Sequence, residues 1–281
     1  MKMRVWVTGS GGLLGSHVVR QVPAGNVEVV AMPRSVVDLR NHEEVRELFN
    51  QAPPDGVIHC AAISNTGICE THPELADEVN VGTTRLLTEL ATDIPLVFLS
   101  TDIVFDGLKG GYKEDDVCAP INVYGMTKRE AEGLVLKNPM HSVLRLSLNG
   151  GISPTGDRGF NEVLRRSFAG GNEVKLFTDE YRQPIPATVT ADIIWEVYLN
   201  GWTGIYHLGG AERMSRYEIG MLLAQRWPSL SPKVIPASLK EFTGGRRAPD
   251  TSMDCHRLQS LLPFRIPGLR EWLEGCPDSA F

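Results

Sequence analysis

The sequence predicts an α/β protein, a doubly wound parallel sheet with a smaller C-terminal lobe. Three observations carry this expectation. Apolar runs of strand length alternate with amphipathic runs of helix length through the first hundred residues. A glycine triplet, Gly9, Gly12 and Gly15, falls between the first strand and the first helix. After residue 150 the alternation loosens, interrupted by glycine pairs and by Pro154, Pro184, Pro186, Pro228, Pro232, Pro236 and Pro249.

In order, MRVWVT (3–8) is an apolar run ending in glycines, hence a buried strand, and LLGSHVVRQV (13–22) carries apolar residues at helical spacing. NVEVVAM (26–32) is a second strand, and HEEVRELFNQ (42–51) a second helix that stops before Pro53-Pro54. GVIHCAA (56–62) is a third strand, residues 74–92 one long helix, and IPLVFLS (94–100) a fourth strand. A helix over 122–138 and a strand over 142–148 follow. Further on, 190–200 reads as helix, 204–210 as strand and 215–227 as helix. Residues 1–148 with about 187–210 are assigned to the sheet domain, and about 149–186 with 211–281 to the second lobe.

Composition narrows the functional classes. The 281-residue chain is 42% hydrophobic and 22% charged with a formal charge of −6, so nucleic acid is not the expected partner. Five scattered cysteines without CxxC spacing argue against a metal cluster or a disulfide framework. The histidines have no metal-ligand spacing, and no metal is expected. The N-terminal apolar run is too short for a signal peptide, and no window of 18 apolar residues occurs, so a cytoplasmic protein off the membrane is expected.

In a parallel sheet, ligands bind outside the carboxyl ends of the strands. At the first end, Gly9, Gly12 and Gly15 let the backbone approach a pyrophosphate, with the next helix offering free N–H groups. After the second strand, the dinucleotide pattern usually supplies an acid; here Arg34 stands there. Arg34 suits a 2′-phosphate and hence NADPH, with NADH the alternative if Arg34 is only a solvated charge. Asp38 comes late for the ribose and suits the adenine instead. At the third end HCAAIS supplies small residues. At the fourth, Ser100, Thr101 and Asp102 form a hydroxyl-bearing lip or a simple turn and cap.

Tyr124 and Lys128 lie one helical turn apart in NVYGMTKRE. An ammonium about 4 Å from a phenol at effective dielectric ~20 contributes about 4 kcal/mol, enough to bring a pKa of ~10 towards ~7. On this reasoning Lys128 tunes Tyr124 as a proton donor and Thr101 holds the receiving carbonyl oxygen. Gly125 is unfavourable in a helix and is expected where a ligand or a backbone approaches closely.

The segments TGSGGLLG, HCAA, STDIVFDG and NVYGMTK, in that order and spacing, resemble the extended short-chain dehydrogenase/reductase superfamily, with its Rossmann-like sheet. Within it, STDIVFDGLKGGYKEDDVCAPINVYGMTKREAE is most similar to the dTDP-4-dehydrorhamnose reductase family. The resemblance implies catalytic Thr101, Tyr124 and Lys128, with cofactor contacts at Gly9, Gly12, Leu13, Leu14, Gly15, Arg34, Asp38, Leu39, Ala61, Ala62, Tyr124 and Lys128. It also implies reduction of the 4-keto group of a nucleotide-diphospho-6-deoxysugar by NADPH, with substrate contacts expected at Asp102, Asn149, Arg182, Gln183 and Arg247. The chain departs from the family in having Ile103 where many members carry tyrosine. Asp102 is followed by isoleucine, not the glutamate of related dehydratases, which removes that chemistry's second carboxylate. Two alternatives share the motifs: an epimerase that retains NAD, and a regulatory subunit resembling the methionine adenosyltransferase β subunit. By analogy within the superfamily, the 74–92 and 122–138 helices are expected to pair in a homodimer.

Overall fold

A computed structural model describes residues 2–276. The first half runs β1 (Met3–Thr8), α1 (Leu13–Arg20), β2 (Val27–Met32), α2 (His42–Gln51), β3 (Gly56–His59), α3 (Thr66–Thr71), α4 (Pro73–Asp77), α5 (Thr83–Leu90), β4 (Leu96–Thr101), α6 (Val123–Val135) and β5 (Ser142–Leu146). It continues with β6 (Asn149–Gly150), α7 (Phe160–Ala169), β7 (Glu173–Phe177), β8 (Tyr181–Arg182), β9 (Ile185–Pro186), α8 (Ala187–Leu199) and β10 (Gly204–Leu208). The last elements are β11 (Met214–Ser215), α9 (Arg216–Arg226), β12 (Lys233–Ala237), α10 (His256–Gln259) and α11 (Leu269–Gly275).

Six strands make one parallel sheet in the order β10-β5-β4-β3-β1-β2. The chain leaves β1 for β2 on one side and returns to β3 on the other. This reversal opens a crevice at the carboxyl ends of β1 and β3, where the expected phosphate cradle falls. Alternation along the strands fills both faces. Val5, Val7, Val97 and Leu99 join one core with Val18, Ile194 and Trp195. Trp6, Leu96 and Phe98 join the other with Val45, Leu86, Leu87 and Val135. The Trp195 indole donates to the Val18 carbonyl at 3.0 Å, pinning α8 to α1. A third core, including Phe160, Leu164, Phe168, Ile219, Leu223 and Leu269, binds α7, α9 and α11 to the β7–β12 pair.

The expected doubly wound sheet is present, with local corrections. The helix expected over 74–92 starts at Pro73 and passes through a π-helical turn, Glu78–Gly82, before α5. Asn80 lies in that turn and is spent on its neighbours. It accepts from Ile63 N at 2.8 Å and donates to Ile63 O and to Thr127 Oγ1. The third strand ends at His59 rather than 62, because the next residues pass beneath Gly9. Helices α3 and α7 and the β7–β12 pair were not anticipated.

Candidate active site

The glycine cradle is built by close backbone packing. Gly9 has φ +64°, and a Cβ there would lie 2.7 Å from the Ala61 backbone; a Cβ on Gly15 would collide with the Gly9 carbonyl. Helix α1 is capped by Gly12, which has no side chain, and its first turn carries no acid. Its N-terminal N–H groups and positive dipole end are therefore open to an anion. Ser10 Oγ, in the same loop, is buried and hydrogen-bonds none of the described residues. These features fit a dinucleotide pyrophosphate.

A buried polar chain ties this loop to α5. Thr84 Oγ1 gives its proton to Asn80 O at 2.7 Å, so His59 donates from Nε2 to Thr84 and accepts at Nδ1 from Thr8. Burial, then the charge of Lys128, pushes His59 down to about 3. His207 lies at the far side of the sheet, between Arg145 and the Tyr112 carbonyl. Burial, then Arg145, pushes it down to about 4. In the unfolded chain both rings titrate near ~6.5. Between that value and the folded ones the unfolded chain binds more protons, so this stability is full above ~6.5 and is lost as pH falls towards 4. Urea melts should therefore give a stability slope of about 1.4 kcal/mol per pH unit for each ring in that window, flattened by one ring in a His207→Gln variant.

Helix α6 starts with the Asn122 side chain accepting from Gly125 N at 2.8 Å, which sets Tyr124 and Lys128 on its buried side. Tyr124 is 8% exposed, Thr101 6% and Lys128 1%. Lys128 was expected to tune Tyr124, but the Tyr124 hydroxyl is acted on by burial, Thr101, Asp102 and Cys69. The ammonium sits 3.8 Å above the centre of the Phe98 ring. Burial, opposed by the Glu132 charge, pushes Lys128 down to about 7. Burial pushes the Tyr124 hydroxyl up, a hydrogen bond with Thr101 opposes it, and the carboxyl of Asp102 adds to the rise. Tyr124 thus keeps its proton throughout the neutral range, the state a proton donor requires. Gly125 is also settled: a Cβ there would strike Ile103 O and would lie 2.9 Å from Pro120, so backbone rather than ligand fills the space.

Asp102 is 3% exposed and anchors the lip. Its Oδ2 accepts from Thr251 at 2.7 Å and from Ser147 at 3.2 Å, with Arg182 Nε 3.8 Å away. Its Oδ1 lies 3.2 Å from Thr101 Oγ1. Behind the lip, Ser100 donates to Glu132 at 2.6 Å, and Arg145 clasps the same carboxylate with two bonds of 2.9 Å.

One cleft of about 360 Å³ brings together Gly9, Gly12, Leu13, Leu14, Gly15, Ala62, Thr101, Asp102, Tyr124, Lys128, Asn149 and Arg182. Ala61 packs directly beneath Gly9. The other expected residues lie outside it. Leu39 is 8% exposed in the core, so it is a packing residue on this face. Asp38 is clasped by Arg40, which holds its carboxyl down to about 2, while the exposed Arg34 lies 3.9 Å away. Gln183 ties the chain to Met253 through both ends of its amide. Arg247 is spent on Glu180, at 2.6 and 2.8 Å, and Arg182 shares that carboxylate at 3.1 Å. A wider depression of about 480 Å³, lined by Lys113, Glu114, Asp115, Asp254, His256 and Arg257, contains none of the expected site residues.

Cys60 and Ser64 of HCAAIS line the cleft as well; sequence reasoning missed Ser147 and Arg158 in the lining, and Asn80 and Thr251 behind it. The i, i+4 pair Asn80 and Thr84 was a readable signal, whereas nothing local marked Thr251. Burial pushes the Cys60 thiol up to about 12, so it is no nucleophile at neutral pH. Among the described residues, no cluster of His, Cys, Asp and Glu could hold a metal ion, and no helix is long and apolar enough to cross a membrane.

Known proteins are similar to this chain over most of its length. A Haloferax volcanii protein described as a probable low-salt glycan biosynthesis reductase, Agl14, is 36% identical over 78% of this chain and 78% of its own. The methionine adenosyltransferase 2 subunit beta of Bos taurus is 30% identical over 96% of this chain and 87% of its own. The crystal structure of a dTDP-4-dehydrorhamnose reductase from Clostridium acetobutylicum superposes with TM-score 0.87 at 26% identity, covering 97% of this chain and 99% of that one. With the RmlD substrate binding domain family matching residues 3–280 and the glycine cradle, Thr101, Tyr124 and Lys128 gathered in one cleft, this chain belongs to that family.

Proposed function

We propose that this protein is an NADPH-dependent reductase of the 4-keto group of a nucleotide-diphospho-6-deoxy-4-ketosugar. The observation that carries the reading is the meeting of Tyr124, Lys128 and Thr101 with the glycine cradle at one crevice of the sheet. The 9–14 loop and the start of α1 would hold the cofactor's pyrophosphate, Arg34 its 2′-phosphate, and Tyr124 and Lys128 its nicotinamide ribose. The bound cofactor supplies the hydride. Tyr124 then donates its phenolic proton to the alkoxide oxygen that forms, and Thr101 fixes that oxygen beside it. Residues 1–148 with about 187–210 serve the cofactor, and the rest, including Arg158 and Arg182 at the cleft, serves the sugar nucleotide.

NADPH oxidation against a panel of nucleotide-linked 4-keto sugars, with NADH alongside, tests this directly. Stoichiometric oxidation with one sugar is expected, and none with any sugar would overturn the reading. That second outcome would favour a regulatory role, a reading supported by the 28–30% identity to methionine adenosyltransferase β subunits over most of the chain. The NAD-retaining epimerase alternative is separated by the same assay, because it consumes no cofactor. Arg34→Ala should weaken the preference for NADPH over NADH about tenfold, the scale of one charge-assisted bond at an exposed site, read as the ratio of kcat/KM values. An unchanged ratio would remove Arg34 from the 2′-phosphate site.

A further inference from the structure

We propose that Glu162, on α7 and outside the cleft, is a positioning residue that sets substrate affinity: it clamps the 153–159 loop so that Arg158 meets the diphosphate of the sugar nucleotide. The inference rests on the reductase reading above. It deepens that reading by giving the diphosphate to one side chain and the placing of that side chain to another.

Among the described residues that line the cleft, the cations are Lys128, Arg158 and Arg182. Two of them are committed. Lys128 is 1% exposed, with its ammonium on the Phe98 ring. Arg182 spends Nη1 on the carbonyls of Tyr181, at 2.6 Å, and Ala248, at 3.1 Å. Its Nη2 meets Glu180 at 3.1 Å, and its Nε lies 3.8 Å from Asp102. Arg158 differs. Its side chain is 59% exposed, and its engaged nitrogen is Nε, 3.3 Å from both Thr155 Oγ1 and Asp157 Oδ1. Its two terminal nitrogens hydrogen-bond none of the described residues. They form a fork of the kind that grips phosphate oxygens in pairs. The cofactor's pyrophosphate has the glycine cradle and the start of α1, so the diphosphate of the sugar nucleotide is the one left for Arg158.

A loop that a ligand must first order binds weakly, and one held beforehand binds tighter. Glu162 provides the hold. Its Oε1 accepts from Ser153 N at 2.8 Å. Its Oε2 accepts from Ser153 Oγ at 2.7 Å and from Arg158 N and Gly159 N at 2.9 Å each. One carboxylate thus joins both ends of the loop, and one of its donors is the backbone of Arg158 itself. Ser153 Oγ also accepts from Asp157 N at 3.2 Å and Arg158 N at 3.3 Å. Beside Glu162, the buried Asn161 pairs both ways with Gly151, at 3.0 and 3.1 Å, and fixes the chain where it enters the loop. Capping of α7 accounts for the bond from Gly159 N. The bonds from Ser153 and Arg158 lie beyond the helix and serve the loop.

Calorimetric titration of the full-length protein with dTDP and with UDP reads diphosphate affinity without turnover. Arg158→Ala should weaken the tighter of the two about 10–100-fold, the range of charge-assisted bonds. Glu162→Gln, whose one carbonyl oxygen cannot satisfy four donors, should weaken it about tenfold. Added to Arg158→Ala, the same change should cost no more than about twofold further, because it acts through that arginine. Effects that multiply in full would make Glu162 a purely structural residue and overturn the proposal. In turnover, Glu162→Gln should raise the sugar KM by more than it lowers kcat, and a loss confined to kcat counts against the clamp. NADPH titration separates the two sources of pyrophosphate. If Arg158→Ala weakens NADPH and neither diphosphate, the assignment to the sugar nucleotide is overturned. Ser153→Ala serves if Glu162→Gln fails to fold. Loss of its hydroxyl, which links Glu162 to the Asp157 and Arg158 amides, should weaken the diphosphate about threefold, and no change overturns the clamp. A wild type that binds neither diphosphate overturns the whole proposal. Weakened diphosphate binding with no sugar turned over supports the clamp and removes only the reductase reading.

Discussion

Phenylalanine in place of Tyr124 should lower kcat for keto-sugar reduction by about 10²–10⁴-fold, the range of a lost general acid. The ring's contacts with Cys69, Ala76, Ile63, Ile103 and Val123 would remain, so the melting temperature should change little, while NADPH affinity should fall by no more than about tenfold, the scale of one hydrogen bond to the ribose. Rapid-mixing measurement of NADPH oxidation at saturating sugar checks this, with cofactor fluorescence for binding. Turnover at the wild-type rate would remove the role assigned to Tyr124. The prediction depends on the phenol staying protonated, which burial ensures, and not on a depressed acidity.

The largest stability loss is expected from Glu132→Ala. Glu132 and Arg145 are 0% and 2% exposed, and the carboxylate also receives Ser100. Truncating one partner strands a buried guanidinium, a change that costs about 3–5 kcal/mol. Arg145 also reaches the Glu114 carbonyl and His207, but neither is an anion to replace the lost one. Urea unfolding should show the full loss for Glu132→Ala. The paired change Glu132→Leu with Arg145→Met should recover most of it, because apolar packing of similar volume often matches a buried ion pair. Failure to recover would mean that the pair matters chiefly by fixing α6 against β5.

The alternating sheet was legible because its signals are local. Apolar strand runs, the glycines at a strand-to-helix turn and the Tyr124–Lys128 spacing all lie within a few residues of one another. What escaped was set by groups far apart in the chain. Lys128 points to Phe98, a contact across 30 residues that helix spacing does not reveal. Arg182 and Arg247 were readable as cations, but not the buried Glu180 that occupies them. The π-helical turn was hidden because Leu75, Val79, Leu86 and Leu90 keep an ordinary helical rhythm while Asn80 takes partners on another element. Leu39 is expected at the cofactor by resemblance, and its side chain lies in the core.

The segment around Thr251 has a consequence for how the molecule comes into being. Asp250 N bonds Gly107 O at 2.9 Å, Tyr112 N bonds Ser252 O at 2.9 Å, and Thr251 reaches Asp102 across 149 residues. All six strands of the sheet, through β10, and the α8 helix that pins α1 precede this segment in the chain, but until it arrives the carboxyl beside Thr101 lacks the Thr251 hydroxyl. A nascent chain can therefore fold its sheet and take up a nucleotide well before it can work at full rate. A chain that stops short of this segment should keep its six-stranded sheet but leave the lip beside Thr101 poorly set, so that the lip is completed by a residue 149 positions further along the chain.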